Sequence, residues 1–123
     1  MNTCTTKEIG NQGEDTACDY FLKQGYTLLA RNFRHGKAEI DLIFQQGTTV
    51  VFVEVKSRAS RVFQQAELAV SKDQQRRIIY AANAFLNKLS PALDARFDCL
   101  GITTGNAPLT VHIADAFNAM QVF

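Results

Sequence analysis

Two hydrophobic periods alternate along the chain and between them predict its elements. From residue 11 to 24 the spacing is helical, and Glu14, Ala17, Cys18 and Phe21 fall at i, i+3, i+4 and i+7 on one face. Gly25 suits the C′ position that closes this helix, and Tyr26 after it can fold back on the last turn. The pattern then turns strand-like over residues 26–33, breaks at Arg34-His35-Gly36-Lys37, and resumes over 38–44 and 49–56 around the turn signal Gln46-Gly47. The last two runs read as a hairpin. Ser71, with Gln74 three residues on, reads as a capping box opening a second helix. Its apolar face is Ile78, Ala81, Ala82, Phe85, Leu86 and Leu89, and Ser90-Pro91 ends it. Two short strands, 96–102 and 109–113, follow with Gly105-Asn106 at their turn, and the tail 114–123 is either a short helix or an irregular cap. The order α-β-β-β-α-β-β predicts an α/β fold, a mixed central sheet of about five strands flanked by helices.

At 123 residues, without repeat or linker, the chain reads as one domain. No apolar run reaches the roughly 18 residues that cross a bilayer, and the first residues lack a signal-peptide core. The expectation is a cytoplasmic protein without a membrane partner. Cys4, Cys18 and Cys99 form no CxxC pair, so reduced thiols are expected rather than a disulfide framework or zinc cluster. The net charge of +1 conceals an uneven distribution: residues 31–77 carry nine Lys and Arg against five Asp and Glu, between acidic flanks. A basic centre containing a few carboxylates suits phosphate binding beside a metal, and by itself suits a solvated surface equally well.

The chemistry sits on the hairpin. Strand alternation points Glu54 and Lys56 to one face, opposite Val51, Val53 and Val55, and points Glu39, Asp41 and Ile43 together, opposite Ile40, Leu42 and Phe44. A two-residue loop at Gln46-Gly47 sets Glu39 across from Glu54; a four-residue loop from Gln46 to Thr49 sets Asp41 there. Either register gathers Asp41, Glu54 and Lys56 on one face. Two carboxylates on strands this apolar repel and are poorly solvated, so something must neutralise them. Mg2+ (or Mn2+) would do so with oxygen ligands, and an internal ion pair of Lys56 with one acid is the plain alternative. Glu14, a carboxylate on an apolar helical stripe, likewise calls for a partner or a cation.

The stretches around Gly10–Ala17, Gly25-Tyr26, Arg31–Arg34, the two strand motifs, Ser57-Arg58, Lys72 and Arg96–Asp98 resemble, in order, the YraN-like bacterial family. That family belongs to the restriction-endonuclease-like superfamily with its D…(D/E)-x-K core and is similar to archaeal Holliday-junction resolvases. Ala38 stands where the family usually has Gly, and Ile40 where the superfamily often has Pro. The resemblance implies a restriction-endonuclease-like fold, with Asp41 and Glu54 as metal ligands, Lys56 as catalytic lysine and Glu14 as the helix-borne acid. It implies a Mg2+-dependent endonuclease acting on DNA, with branched or structured DNA as a candidate substrate and a homodimer by analogy with the resolvases. Arg31, Arg34, Arg58, Lys72, Gln75 and Arg76 are the candidate nucleic-acid contacts. The competing reading is a non-catalytic nucleic-acid-binding module that retains the nuclease fold.

Overall fold

The computed structural model describes residues 12–59, 61–104 and 107–118. Helix α1 spans Gln12–Lys23 and buries Gly13, Glu14, Ala17, Cys18 and Phe21, the face that the helical period marks out. It closes as expected: Gly25 takes φ 90°, its N–H donates to Leu22 O, and the Tyr26 N–H reaches back to Phe21 O, a paired C-terminal cap. Cys18, expected as a reduced thiol, is disulfide-bonded, and its partner lies outside the described residues; sequence separation gives no view of such a contact. Cys99 is a buried free thiol.

The sheet holds five strands, β1 (Thr27–His35), β2 (Ala38–Gln46), β3 (Thr49–Arg58), β4 (Asp94–Thr103) and β5 (Thr110–Phe117), in that spatial order. Neighbours run antiparallel except β3 and β4, which are parallel because helix α2 (Lys72–Leu86) crosses over between them. Two expectations change here. His35 belongs to β1 rather than to a polar break, and residues 110–117 form one strand where the tail reading left a helix or a cap. The Gly105-Asn106 turn, Gly10, Asn11 and the end of the tail lie outside the described residues.

Two cores sandwich the sheet. α2 packs Ile78, Ile79, Ala81 and Ala82 against Ile40 and Ile43 of β2 and Val50 and Phe52 of β3, with Leu29, Ala30 and Phe33 of β1 alongside. Phe52, Phe97 and Phe117 stack across β3, β4 and β5 at 5.4 and 5.0 Å. On the opposite face α1 packs Ala17, Cys18 and Phe21 on Leu42, Phe44, Val51, Val53 and Leu100. The α2 cap is half of the expected box, with Ser71 Oγ accepting from Gln74 N at 3.2 Å. A short 3-10 turn, η1 (Gln65–Leu68), was not anticipated. With the preceding loop it seats Phe63 and Leu68 on β4 at Gly101, where a Cβ would lie only 2.8 Å from the Phe63 ring and 2.9 Å from Leu68 Cδ2. Among the described residues no helix is long and apolar enough to cross a membrane.

Candidate active site

The β2–β3 ladder runs from Gln46↔Thr49 to Leu42↔Val53 and ends there. The connecting turn is Gly47-Thr48, with Gly47 at φ 59°, one residue along from the expected Gln46-Gly47. This register makes Asp41 and Glu54 the next opposing pair, which the longer of the two expected loops also requires. The ladder does not continue through them, because the Asp41 side chain takes over: its Oδ2 accepts the Val55 N–H at 2.8 Å. Past this point the two strands are held by a carboxylate instead of a carbonyl.

The same place corrects the expected alternation of β2. Ile40 packs with Ile43 in the α2-side core, while Leu42 and Phe44 pack on the α1 side. The pairing of β1 with β2 passes from Phe33↔Ile40 to Arg31↔Leu42 and skips Asn32 and Asp41; Asn32 holds φ 51°. The pairing keeps one register across this gap, and its shift lies further along, between Leu28 and Ala30. β3 is regular: Val51, Val53 and Val55 face α1, leaving Glu54 and Lys56 to the other side, as its pattern predicts.

Burial and like charge dominate the electrostatics. Asp41 is raised from 3.8 to about 6, first by desolvation, with Glu14 and Glu39 adding repulsion against the stabilising Val55 N–H. Glu54 is raised from 4.5 to about 7, again by burial, then by Asp41, and is eased by a hydrogen bond from Gln74 and the charge of Lys56. Gln74 is the residue the sequence reading missed as part of the site. Its Oε1 accepts from Arg77 Nη2 at 2.9 Å, which leaves its amide nitrogen for Glu54. The helical period of α2 placed it on the first turn, and its role as cap partner hid this second contact. Glu54, Lys56, Ala69, Val70, Ser71 and Gln74 line a cavity of about 330 Å³ at the mouth of α2.

Lys56 lies on the wall of this cavity, and its Nζ donates to Glu67 O at 3.2 Å. Glu67 is a hub: its carboxylate accepts from Arg58 (2.7 Å), Arg61 (3.2 Å) and the Gln64 N–H, and these bonds bring it down to about 2. Glu14 is buried beside Asp41 and pairs with Arg31 at 3.4 Å; the Asn32 amide, turned to donate, reaches both Glu14 Oε1 (3.1 Å) and Glu39 Oε1 (3.2 Å). Among the described residues, no three acidic, His or Cys side chains form a ready-made metal cage. The preformed feature is a carboxylate pair with a third and fourth acid behind it.

The candidate nucleic-acid contacts fall into two groups. Arg31 is drawn inward, bonded to Asp15 at 2.6 Å as well as to Glu14, and Arg58 lies over the Phe63 ring at 3.7 Å while paired with Glu67. Gln75 ties its amide to Val70 O at 2.8 Å, with its Oε1 buried and unpartnered. Arg34, Lys72 and Arg76 stand at the surface, Arg34 beside Glu39 and Arg76 beside Asp73. His112 joins a buried network. Asp98, with no side-chain exposure, accepts from His112 Nε2 (2.7 Å), from both Arg96 donors (2.7 and 2.9 Å) and from Asp115 N (3.0 Å).

A profile described as "Uncharacterised protein family UPF0102" matches residues 13–102, a stretch that contains Glu14, Asp41, Glu54 and Lys56. A UPF0102 protein of Herminiimonas arsenicoxydans is 44% identical over 76% of each chain. One from Geobacter metallireducens is 43% identical over 90% of this chain and 93% of its own. One from Phocaeicola vulgatus is 36% identical over 89% and 92%. Matches of this extent and identity establish kinship, and the chain belongs to the uncharacterised protein family UPF0102.

Proposed function

We propose that this chain is a divalent-metal-dependent endonuclease of the restriction-endonuclease-like superfamily, hydrolysing DNA phosphodiesters in the cytoplasm. The observation that carries the reading is the pair Asp41 and Glu54, opposed across β2 and β3, both half-buried and both raised chiefly by burial, with Glu54 and Lys56 on the wall of one cavity. Lys56 bonds to a backbone carbonyl rather than to either acid, so the charge of the pair calls for another cation. A hard ion fits this donor set, since Mg2+ is held by one or two carboxylates and keeps several waters. Asp41 and Glu54 would hold Mg2+ or Mn2+, with Glu14 as the helix-borne acid behind them. Bound there, the ion supplies Lewis-acid chemistry toward a phosphodiester and lowers the pKa of water.

The chain's own groups have defined tasks. The Val55 N–H fixes one Asp41 oxygen, so the other is aimed away from the ladder. Gln74 steadies Glu54 from α2. The ammonium of Lys56 orients the attacking water or stabilises charge that develops on the phosphate. Two strands must be cut in a branched substrate, and a homodimer would supply two such sites. The competing reading, a non-catalytic nucleic-acid-binding module, draws support from the Lys56–Glu67 bond, which turns the lysine from the acids.

The test incubates the purified protein with branched, duplex and single-stranded DNA in Mg2+ or Mn2+. Cleavage that falls at least about a hundredfold in Asp41→Asn, Glu54→Gln and Lys56→Met is the expected result. Activity that survives Asp41→Asn or Glu54→Gln would reject this site, and DNA binding without cleavage in any metal would favour the non-catalytic module.

A further inference from the structure

One exposed surface has no role in the fold or in the site above. Tyr80, on α2, is 60% exposed, the most open large hydrophobic side chain among the described residues. Its ring is tilted against His35 at the end of β1, with centroids 4.9 Å apart. The helical period sets Arg76 and Arg77 one turn before it and Asn83 and Ala84 one turn after. Tyr80, His35, Asn83, Ala84, Asn87 and Lys88 line a shallow groove of about 590 Å³. No carboxylate lines that groove. It therefore combines an aromatic floor, amide groups that both donate and accept, and the Lys88 ammonium, with Arg76 (paired with Asp73) and Arg77 (bonded to Gln74) a turn of α2 away.

We propose that this groove binds single-stranded DNA, with an unpaired base stacked on Tyr80 and His35 and its phosphates on the flanking cations. Base–aromatic stacking needs an open ring face and tolerates any base, and a cationic track supplies the backbone attraction. Asn83 and Asn87 match the polar edges of a base better than an apolar partner would. A second copy of the chain fits poorly, because a two-fold contact here would oppose Lys88 and the arginines to their own like charges.

This inference rests on the nuclease reading and narrows its substrate class. Gln74, which touches Glu54, precedes Tyr80 by six residues on the same helix, roughly 9 Å of axial rise. Six residues also turn the helix by about 240°, so the path between the two runs partly around α2 and exceeds the two to three nucleotide steps of roughly 3.4 Å that the rise alone would give. DNA carrying an unpaired segment a few nucleotides from the scissile phosphate (a flap, an overhang or an open junction) would engage both surfaces together.

The experiment measures binding apart from cleavage. Fluorescence anisotropy in EDTA compares a labelled single-stranded oligonucleotide with its duplex, using wild type, Tyr80→Ala, Tyr80→Phe and Lys88→Ala. Tyr80→Ala is expected to weaken single-strand binding roughly tenfold or more and duplex binding less than about twofold. Tyr80→Phe keeps the ring and should stay near wild type. Equal single-strand affinity in wild type and Tyr80→Ala overturns the proposal. So does an equal loss on both substrates, which would mark a plain phosphate contact, or a dimer that becomes monomeric in Tyr80→Ala. Absence of cleavage in Mg2+ alongside Tyr80-dependent binding would remove the nuclease reading and leave this one standing.

Discussion

Replacing Glu54 with Gln should stabilise the metal-free protein at pH 8, although it removes a proposed metal ligand. Folding takes the carboxyl from 4.5 to about 7, chiefly through burial and then through Asp41. The folded state therefore binds more protons than the unfolded chain between about pH 4.5 and 7. Stability tied to the neutral form is fully present below 4.5 and is lost as pH rises through about 7. At roughly 1.36 kcal/mol per pH unit the full effect would be about 3 kcal/mol. The group is only half-buried, and solvent screening brings this to about 1–2 kcal/mol. For a domain of this size that is about 3–8 °C in Tm.

The assay is thermal unfolding of wild type and Glu54→Gln in EDTA at pH 5 and pH 8, then at pH 8 with Mg2+. At pH 5 the protonated acid and the amide are near-isosteres, so the two melting temperatures should nearly coincide. At pH 8 the variant should melt higher, and added Mg2+ should raise wild type more than the variant by the mass action of binding. The reasoning fails if the variant melts at or below wild type at pH 8 while matching it at pH 5. It also fails if both lose the same stability between the two pH values, since burial would then not be charging Glu54 with the penalty assigned to it.

Two further outcomes follow from packing and pairing. Gly101→Ala puts a methyl 2.8–2.9 Å from Phe63 and Leu68, and the shift of η1 it forces should cost about 1–3 kcal/mol in urea unfolding and disturb the Lys56–Glu67 bond; a change below about 0.5 kcal/mol would show that the loop yields freely. Asp98→Asn removes the charge beneath Arg96 and His112 and should cost about 3–5 kcal/mol at pH 7, an effect that fades as wild type is acidified below the ordinary carboxylate range, because its partners hold Asp98 low against the pull of burial; an equal cost at pH 3 would refute this.

The fold was legible wherever one residue's local preference agreed with its tertiary use. Gly25 closes α1 because only a residue tolerant of φ 90° fits there, and the stripe from Glu14 to Phe21 is buried as its period requires. The readings that failed share a cause. Residues 114–117 carry no strong strand signal, yet β5 continues through them because Asp98 captures the Asp115 N–H and holds φ 54° at a bulge between β4 and β5. That capture is a contact across 17 positions, and no local period reports it. η1 escaped for the same reason, being seated by the missing side chain of Gly101 on a strand more than thirty residues away.

The candidate residues could be named from the sequence but their arrangement could not, and Asp41 shows why. Alternation set Asp41 on one face with Glu39 and Ile43 in a regular strand, which would leave the Val55 N–H to an ordinary ladder partner. Instead the β2–β3 pairing stops at Leu42 and Val53, and the Asp41 carboxylate takes that N–H at 2.8 Å. The strands can then part at Asp41 and Glu54 without orphaning a buried donor, a loss that would cost about 1–3 kcal/mol. A carboxylate serves here where an amide or hydroxyl would not, because one oxygen can satisfy the backbone while the other keeps its charge for a cation. The same side chain thus ends the β2–β3 ladder and borders the candidate site, so a substitution that empties it removes both roles together. Asp41→Asn, which keeps an acceptor for Val55, is for that reason the substitution that separates loss of chemistry from loss of fold.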